Sequence, residues 1–529
     1  MGIPGFYYAL RKSRHGVAFR KEKPKKTHIL AIDLNGVIHQ VAQRVFGYGT
    51  SEMDITVEKY FDQVVMSESE FNQKLQKLAQ DIWSEIIQIV ITVGPTEQII
   101  LAVDGVAPQA KITQQRKRRY RSAADRPKDQ IFDSTVITPG TTFMAGLDQF
   151  LQQKLASVYK DPQVGPRFPP NIVYSSYQVP GEGEHKIADH VRKMINVEKK
   201  TMVIDGLDAD LFMIYLLQVK KFDRILLRRG EEYLNLAKID VSNPDDLVIK
   251  VFLIGNDFLP KFPGFTKVEG VLSRLFDDTT HLIERPGQIS WPALQQWFAS
   301  IETFYAEELK KWALTATGIA SRSFDTIQAY GAQQGIVRNW NQTRFDKDWY
   351  RHIADPLGSK FDVTESDKEK ICHAYLQGIN WVYTYYRFGF NQVNARWYYP
   401  YQYAPVFADI SAYLLKHQDT ILQEVATVPN QKKITMLEKL VMVVPPRSSS
   451  LLPAKYRFLF TKESPIYDIC PQEFFVDTTG GGADHEAVVL IPIVNPTRVG
   501  YALEFVAPLL DDPVVNDKAY FDPGRIMMR

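Results

Sequence analysis

Residues 27–33 read THILAID, a short apolar run closed by an acid. The same device returns as QIILAVD at 98–104, and further apolar runs follow at Asn171–Tyr177, Thr201–Ile204 and, in amphipathic form, Asp223–Arg229. Helical patterns lie between them. Phe71, Leu75, Leu78, Ile82, Ile86 and Ile89 share one face of a helix that Gly94 and Pro95 stop, and Ile187, Val191, Met194 and Ile195 mark another. Apolar strands alternating with helices predict an α/β fold whose parallel sheet is covered on both faces. We assign it to residues 1–270.

Downstream the signals change. Residues 271–370 read as a variable helical connection, with Trp291–Ala299 and Phe304–Leu314 its clearest helices. Residues 371–529 form a second, mostly helical region. It opens on a helix around 367–388 with Ile371, Tyr375, Ile379, Val382 and Tyr386 on one face. Breaks at Pro445–Pro446 and Gly480–Gly482 precede a strand-like run, Ala487–Ile493. The 529 residues are 45% hydrophobic and 23% charged, which excludes a disordered or fibrous chain. A net charge of +2 says little about partners, because the placement of each sign matters more than the total. Two cysteines, Cys372 and Cys470, cannot build a disulfide framework or a cysteine zinc site and fit a reducing compartment. The apolar stretch Ile86–Val93 is too short to cross a bilayer, and no apolar segment follows Arg11, Lys12 and Arg14 to make a signal peptide. The expectation is a soluble intracellular protein without membrane contact.

Acids gather where the apolar runs end: Asp33, Asp104, Glu182 with Glu184, Asp208 with Asp210, and Asp257 in GNDFLP at 255–260. In an open parallel sheet, function sits outside the carboxyl ends of the strands. Any one of these acids alone reads as well as a solvated loop residue or a helix cap; five loops doing so together do not. So many carboxylates in one place would protonate one another unless cations neutralise them. Oxygen donors favour Mg²⁺, with Mn²⁺ as a substitute, and two such ions are suited to phosphodiester hydrolysis, one activating water and one stabilising the leaving oxygen. Asp189 and Asp205 read as supporting residues.

Lys111–Arg126 carries seven basic residues against Asp125, a local charge of +6. On a helix, Lys111, Gln115, Arg118 and Arg119 share a face, a donor set suited to a terminal phosphate. Arg116, Lys117 and Arg121 read as solvated or as holding backbone. Trp381–Tyr403 holds 11 aromatics in 23 residues, most of them expected in the core. Trp397, in a polar loop-like setting, is the candidate for stacking on single-stranded bases, with Trp381 as the alternative and His39 as the second stacking candidate.

These residues resemble the Xrn-type 5′→3′ exoribonuclease family. The matching segments are MGIPGFY (1–7), AIDLNGVIHQ (31–40), AVDGVAPQAKITQQRKRRYRSA (102–123), ITPGTTFM (137–144), VPGEGEHKIADHVR (179–192), GLDADLFM (206–213) and IGNDFLP (254–260). WVYTYYRFG (381–389), WYYPYQYAP (397–405) and HEAVVLIP (485–492) continue the match. The resemblance implies a PIN-like fold related to flap endonucleases, with metal acids at Asp33, Asp104, Glu182, Glu184, Asp208, Asp210 and Asp257. It implies a 5′-phosphate pocket at Lys111, Gln115, Arg118 and Arg119, and base stacking at His39 and, less directly, Trp397. Gly5 stands where the family usually has lysine, His485 where an aromatic is usual, and the stretch from Asp257 to Trp381 is short. The expectation is a minimal nuclease core: a processive, Mg²⁺-dependent exoribonuclease acting on 5′-monophosphorylated single-stranded RNA. It would be a cytoplasmic monomer in mRNA decay with a decapping enzyme upstream, nuclear residence being left open by Arg20–Lys26. The rivals are a structure-specific DNA flap nuclease and an inactive RNA-binding scaffold of the same fold.

Overall fold

All five apolar runs become strands of one sheet. The computed structural model describes residues 5–47, 68–126, 132–265, 268–315, 341–354, 363–424, 433–477, 487–510 and 527–528. Strands β1 (Phe19–Arg20), β2 (Thr27–Asp33), β3 (Pro95–Ala102), β4 (Asn171–Ser175), β5 (Thr201–Asp205), β6 (Arg224–Arg229) and β7 (Glu232–Asn235) lie in the order β1-β7-β6-β5-β2-β3-β4. The two-residue strand Met527–Met528 pairs antiparallel with the outer edge of β4. Strands β2 to β6 are mutually parallel, and β7 and β1 add an antiparallel edge beyond β6. Ala31 at the centre of β2 faces Ile100 on one side and Ile204 on the other.

Helices α1 (Phe6–Lys12), α2 (Leu34–Phe46), α3 (Glu68–Val93), α4 (Gln109–Asp125), α5 (Thr142–Ser157), α6 (Gly183–Lys193) and α7 (Asp210–Leu216) complete this half. Side chains alternate across a strand, so Ile29, Ala31, Ile100, Met202 and Ile204 enter one core with α1, α6 and α7. Leu30, Ile32, Ile99, Leu101 and Val203 enter the other with α2, α3 and α5. Both faces being buried is why these strands read as continuous apolar runs rather than as alternating ones. From β2 the chain moves outward through β3 and β4, then crosses to β5 on the other side of β2. The loops after β2 and β5 therefore diverge and leave a crevice at the carboxyl ends.

The periodicity misjudged some boundaries. Helix α6 ends at Lys193, so Ile195 lies beyond it and is 79% exposed. Trp291–Ala299 and Phe304–Leu314 are one continuous helix, Trp291–Thr315. The expected helix around 367–388 is Glu365–Phe388, opened by a capping box between Thr364 and Asp367, with Ile371, Tyr375, Ile379, Val382 and Tyr386 all buried. The strand-like run near 487 is Val488–Leu490, paired with Phe475–Asp477. Gly480–Gly482 and His485 lie outside the described residues. Cys372 and Cys470 are both free and buried. Among the described residues no helix is long and apolar enough to cross a membrane.

Both apolar layers continue into the later region. Tyr375, Trp381, Tyr385 and Phe407 join the first, and Met436, Leu440, Val441 and Val499 join the second.

Candidate active site

The seven acids meet in the crevice. Asp33 ends β2 and caps α2, its Oδ1 accepting the Asn35 backbone N–H at 3.2 Å. The Asn35 side chain in turn accepts the Asp104 N–H at 2.9 Å, and Asp104 Oδ1 accepts the Gly183 N–H at 2.7 Å. Glu182 and Glu184 flank that glycine at the start of α6. A Cβ on Gly183 would lie 2.6 Å from Asp33 Oδ1, so only glycine lets α6 begin against both aspartates. Asp208 and Asp210 come from the β5–α7 loop, where Asp208 Oδ1 accepts the Asp210 N–H at 3.3 Å. Asp257 follows the Pro244–Val251 helix and faces Asp210.

Burial and mutual repulsion act together here. Burial, then Asp104, pushes Asp33 up to about 8. Burial raises Glu182, and it carries Glu184 and Asp210 well above the usual carboxylate range. Asp257 goes the other way: burial would raise it, but Lys111 beside it holds it below the ordinary value. Asp210 Oδ2 is buried and, among the described residues, has no hydrogen-bond partner. A ring of oxygen donors with an unsatisfied buried oxygen fits Mg²⁺ or Mn²⁺, which takes oxygen ligands and offsets the charge that protons would otherwise neutralise.

Helix α4 runs outward from this ring. Lys111 Nζ lies 2.6 Å from Glu182 Oε2 and 2.6 Å from Asp257 Oδ2. Burial opposes its charge, but Asp257 and Glu182 raise its pKa well above the usual lysine value. It thus sits inside the acid ring, closer in than a pocket lysine read from helical spacing alone. One turn on, Gln115 is buried, its Oε1 without a hydrogen-bond partner among the described residues. Arg118 is exposed, and Arg119 reaches the Ile137 carbonyl at 3.4 Å while its Nη1 has no partner among the described residues. Burial, then Arg118, lowers Arg119 to about 9. His39 faces the same two arginines; burial and then their charges push it down to about 3, which keeps the ring neutral. Of the residues grouped by spacing, Gln115, Arg118 and Arg119 follow Lys111 along α4, Lys111 itself turns to the acids, and the separate stacking candidate His39 lies beside Arg118 and Arg119.

Trp397 is half-buried in a loop and stacks on Trp381, with ring centroids 5.1 Å apart and planes at 25°. Trp381, the alternative stacking candidate, is wholly buried and donates Nε1–H to the Asn394 carbonyl at 2.9 Å, so it is a core residue and the floor under Trp397. Among the described residues no ring contact joins Trp397 to His39. Asp189 pairs with Arg192 and Asp205 with Arg228, so both serve structure. Arg116 is wholly buried and donates to the carbonyls of Met442, at 2.6 Å, and of Ile469.

Several residues around the ring escaped the sequence reading. Tyr385 donates to Glu182 Oε1 at 2.9 Å, and His185 stacks on it at 3.7 Å. Tyr215 donates to the Glu184 carbonyl at 3.1 Å, and Tyr7 to the Asp208 carbonyl at 3.3 Å. Asn35, two residues after Asp33, was legible in principle as an Asx partner. The tyrosines were hidden among aromatics that mostly fill the core.

The family model described as XRN 5'-3' exonuclease N-terminus matches residues 1–229, and the one described as Xrn1 helical domain matches 313–516. The chain is 26% identical to human 5'-3' exoribonuclease 1 over 95% of its length, which is 34% of that protein. It is 25% identical to the Saccharomyces cerevisiae 5'-3' exoribonuclease 1, covering 78% of this chain and 38% of the relative. With the Drosophila melanogaster 5'-3' exoribonuclease 2 homolog it shares 25% identity over 90% of this chain and 65% of that one. Among solved structures, the catalytic core of Rad2 in complex with DNA overlays with a TM-score of 0.32 and 13% identity over 78% of this chain and 99% of that one, too distant a likeness to bear on fold or function. The chain spans about a third of the length of the human relative. Matched in order across both halves, the chain belongs to the XRN 5'-3' exonuclease family.

Proposed function

We propose that this chain is a Mg²⁺-dependent 5′→3′ exoribonuclease that removes mononucleotides processively from single-stranded RNA bearing a 5′ monophosphate. The observation that carries the reading is the continuity of one ring of seven acids with one polar face of α4, in a chain of this family. Asp33, Asp104, Glu182, Glu184, Asp208, Asp210 and Asp257 would hold two divalent ions. When bound, such ions lower the pKa of water and offset charge on the leaving oxygen.

The rest falls to the chain's own side chains. Gln115, Arg118 and Arg119 bind the terminal phosphate: the arginines offer forked donors and the glutamine a neutral one. Lys111, held between Glu182 and Asp257 inside the acid ring, would bring positive charge to the scissile phosphate. His39, uncharged and beside the arginines, stacks on the first base without repelling them. Trp397, backed by Trp381, offers a rigid surface to a base further along. A pocket bounded by Arg119 and buried Gln115 would admit a terminal monophosphate and exclude a cap or a triphosphate by size and charge. The enzyme would work as a monomer in cytoplasmic mRNA decay, downstream of a decapping activity that leaves a 5′ monophosphate.

The test compares RNA with 5′-monophosphate, 5′-triphosphate and capped ends, with Asp208→Ala as the inactive control. Rapid loss of the monophosphorylated RNA alone is expected, and the control should still bind single strands. Equal degradation of all three ends would refute the phosphate pocket, and internal cutting of branched DNA would favour a flap nuclease.

A further inference from the structure

The loop that carries Asp104 is gripped by two buried lysines from opposite halves of the sequence. Lys186, on α6, donates to the Val103 carbonyl at 2.5 Å and to those of Ser176 and Val179 at 2.7 and 3.2 Å. Lys439, on the Met436–Val443 helix of the later region, donates to the Gly105 carbonyl at 2.9 Å. The residues before and after Asp104 thus each present their carbonyl to an ammonium. Lys439 is fully buried and Lys186 nearly so, and among the described residues neither forms an ion pair with a carboxylate. Burying an ammonium is costly, and a methionine would fill the same space without that penalty.

Backbone contacts hold the same loop. The Gly105 N–H donates to the Gly181 carbonyl at 2.8 Å, and the Gly181 N–H donates to the Val106 carbonyl at 2.9 Å. A Cβ on Gly105 would lie 1.9 Å from the Val179 carbonyl oxygen, so the loops after β3 and β4 meet backbone to backbone. The helix bearing Lys439 lies against α4 and is itself fixed by a capping box of Thr435 and Glu438, with Glu438 paired to Arg396 at 2.6 Å.

We propose that Lys439 is a positioning residue for Asp104: by holding the Gly105 carbonyl opposite Lys186, it sets the carboxylate's place in the acid ring. Ion affinity in the nuclease half then depends on a side chain of the helical half. This rests on the reading that the acids hold divalent ions. Groups acting through a ligand's surroundings typically alter metal affinity by about 10-fold or more.

The test measures Mn²⁺ binding to the full chain without RNA, by electron paramagnetic resonance of the free ion, and the Mg²⁺ dependence of single-turnover cleavage. Lys439→Met should raise both half-saturating concentrations about 10-fold, with RNA binding in chelator unchanged. Lys439→Gln keeps a donor on a shorter arm and should fall between. Wild-type Mn²⁺ affinity in whichever variant folds overturns the proposal, even if its melting temperature falls. So does a wild-type chain that binds no Mn²⁺. A chain that shows the Mn²⁺ shift but leaves RNA uncut would sink the reading of function and spare this one.

Discussion

At Gly183 a hydrogen in place of a methyl group lets two aspartates and a helix start share one point. Gly183→Ala would press a carbon to 2.6 Å from Asp33 Oδ1, and the carboxylate must move. Displacements near 1 Å at a reacting centre cost on the order of 10²-fold in rate. We expect that loss in single-turnover cleavage with the far-ultraviolet circular dichroism unchanged; full activity would show that the ring tolerates a displaced Asp33. The acids also predict a pH response in the ion-free chain. Asp33, held at about 8 by burial and then by Asp104, keeps its proton in the folded state at pH values where the unfolded chain has released it. Glu182, Glu184 and Asp210 shift the same way. A raised folded value stabilises below the ordinary carboxylate range, and that contribution is lost as pH climbs toward the folded value. Lys186 and Lys439, lowered by burial to about 7, act in the opposite sense above that pH. His39, lowered by burial to about 3, and His15, His185 and His190, lowered likewise, also act in the opposite sense below the ordinary imidazole value of about 6.5. The clean window is therefore about pH 6.5 to 7. In chelator the urea midpoint should fall across it, and saturating Mg²⁺ should flatten the slope, because bound cations displace the protons. A midpoint that rises with pH in chelator would contradict the raised values.

Helix α4 divides its basic residues between two tasks. Arg116 turns inward, lies over the Tyr120 ring at 4.3 Å and holds the Met442 and Ile469 carbonyls. Arg118 turns outward beside His39. Arg116→Met strands two buried carbonyls and should destabilise the fold by about 2–4 kcal/mol, read as a lower urea midpoint. Arg118→Ala should leave stability within about 0.5 kcal/mol. It should instead weaken single-strand binding and reduce the slope of log affinity against log salt by about 0.7. Equal effects of the two changes on stability would erase the division. The local charge of +6 was plain in the sequence, and the helix that the spacing of Lys111, Gln115, Arg118 and Arg119 assumed is present as Gln109–Asp125. Spacing could not show that Lys111 lies within reach of Glu182 and Asp257, because those acids are 71 and 146 residues away along the chain.

Across the whole molecule, the two apolar layers of the sheet run on into the later helices, with Tyr385 and Leu440 packed in layers that also contain β-strand residues. A chain cut after residue 270 would expose both layers, and we expect it to aggregate or to lack near-ultraviolet dichroism. A monomeric, cooperatively folded fragment would refute this. The strands, the acids at their ends and the basic face of α4 were determined by the sequence alone. Each rests on a period of two or 3.6 residues, or on a local rule about where strands deliver their loops. Tertiary structure alone decided which tyrosines touch the acids, that Trp381 is floor rather than platform, that Arg116 is a brace, and that Lys439 reaches Gly105 across 334 residues. Those facts depend on which distant segments share a buried space, and chain order carries no measure of that distance.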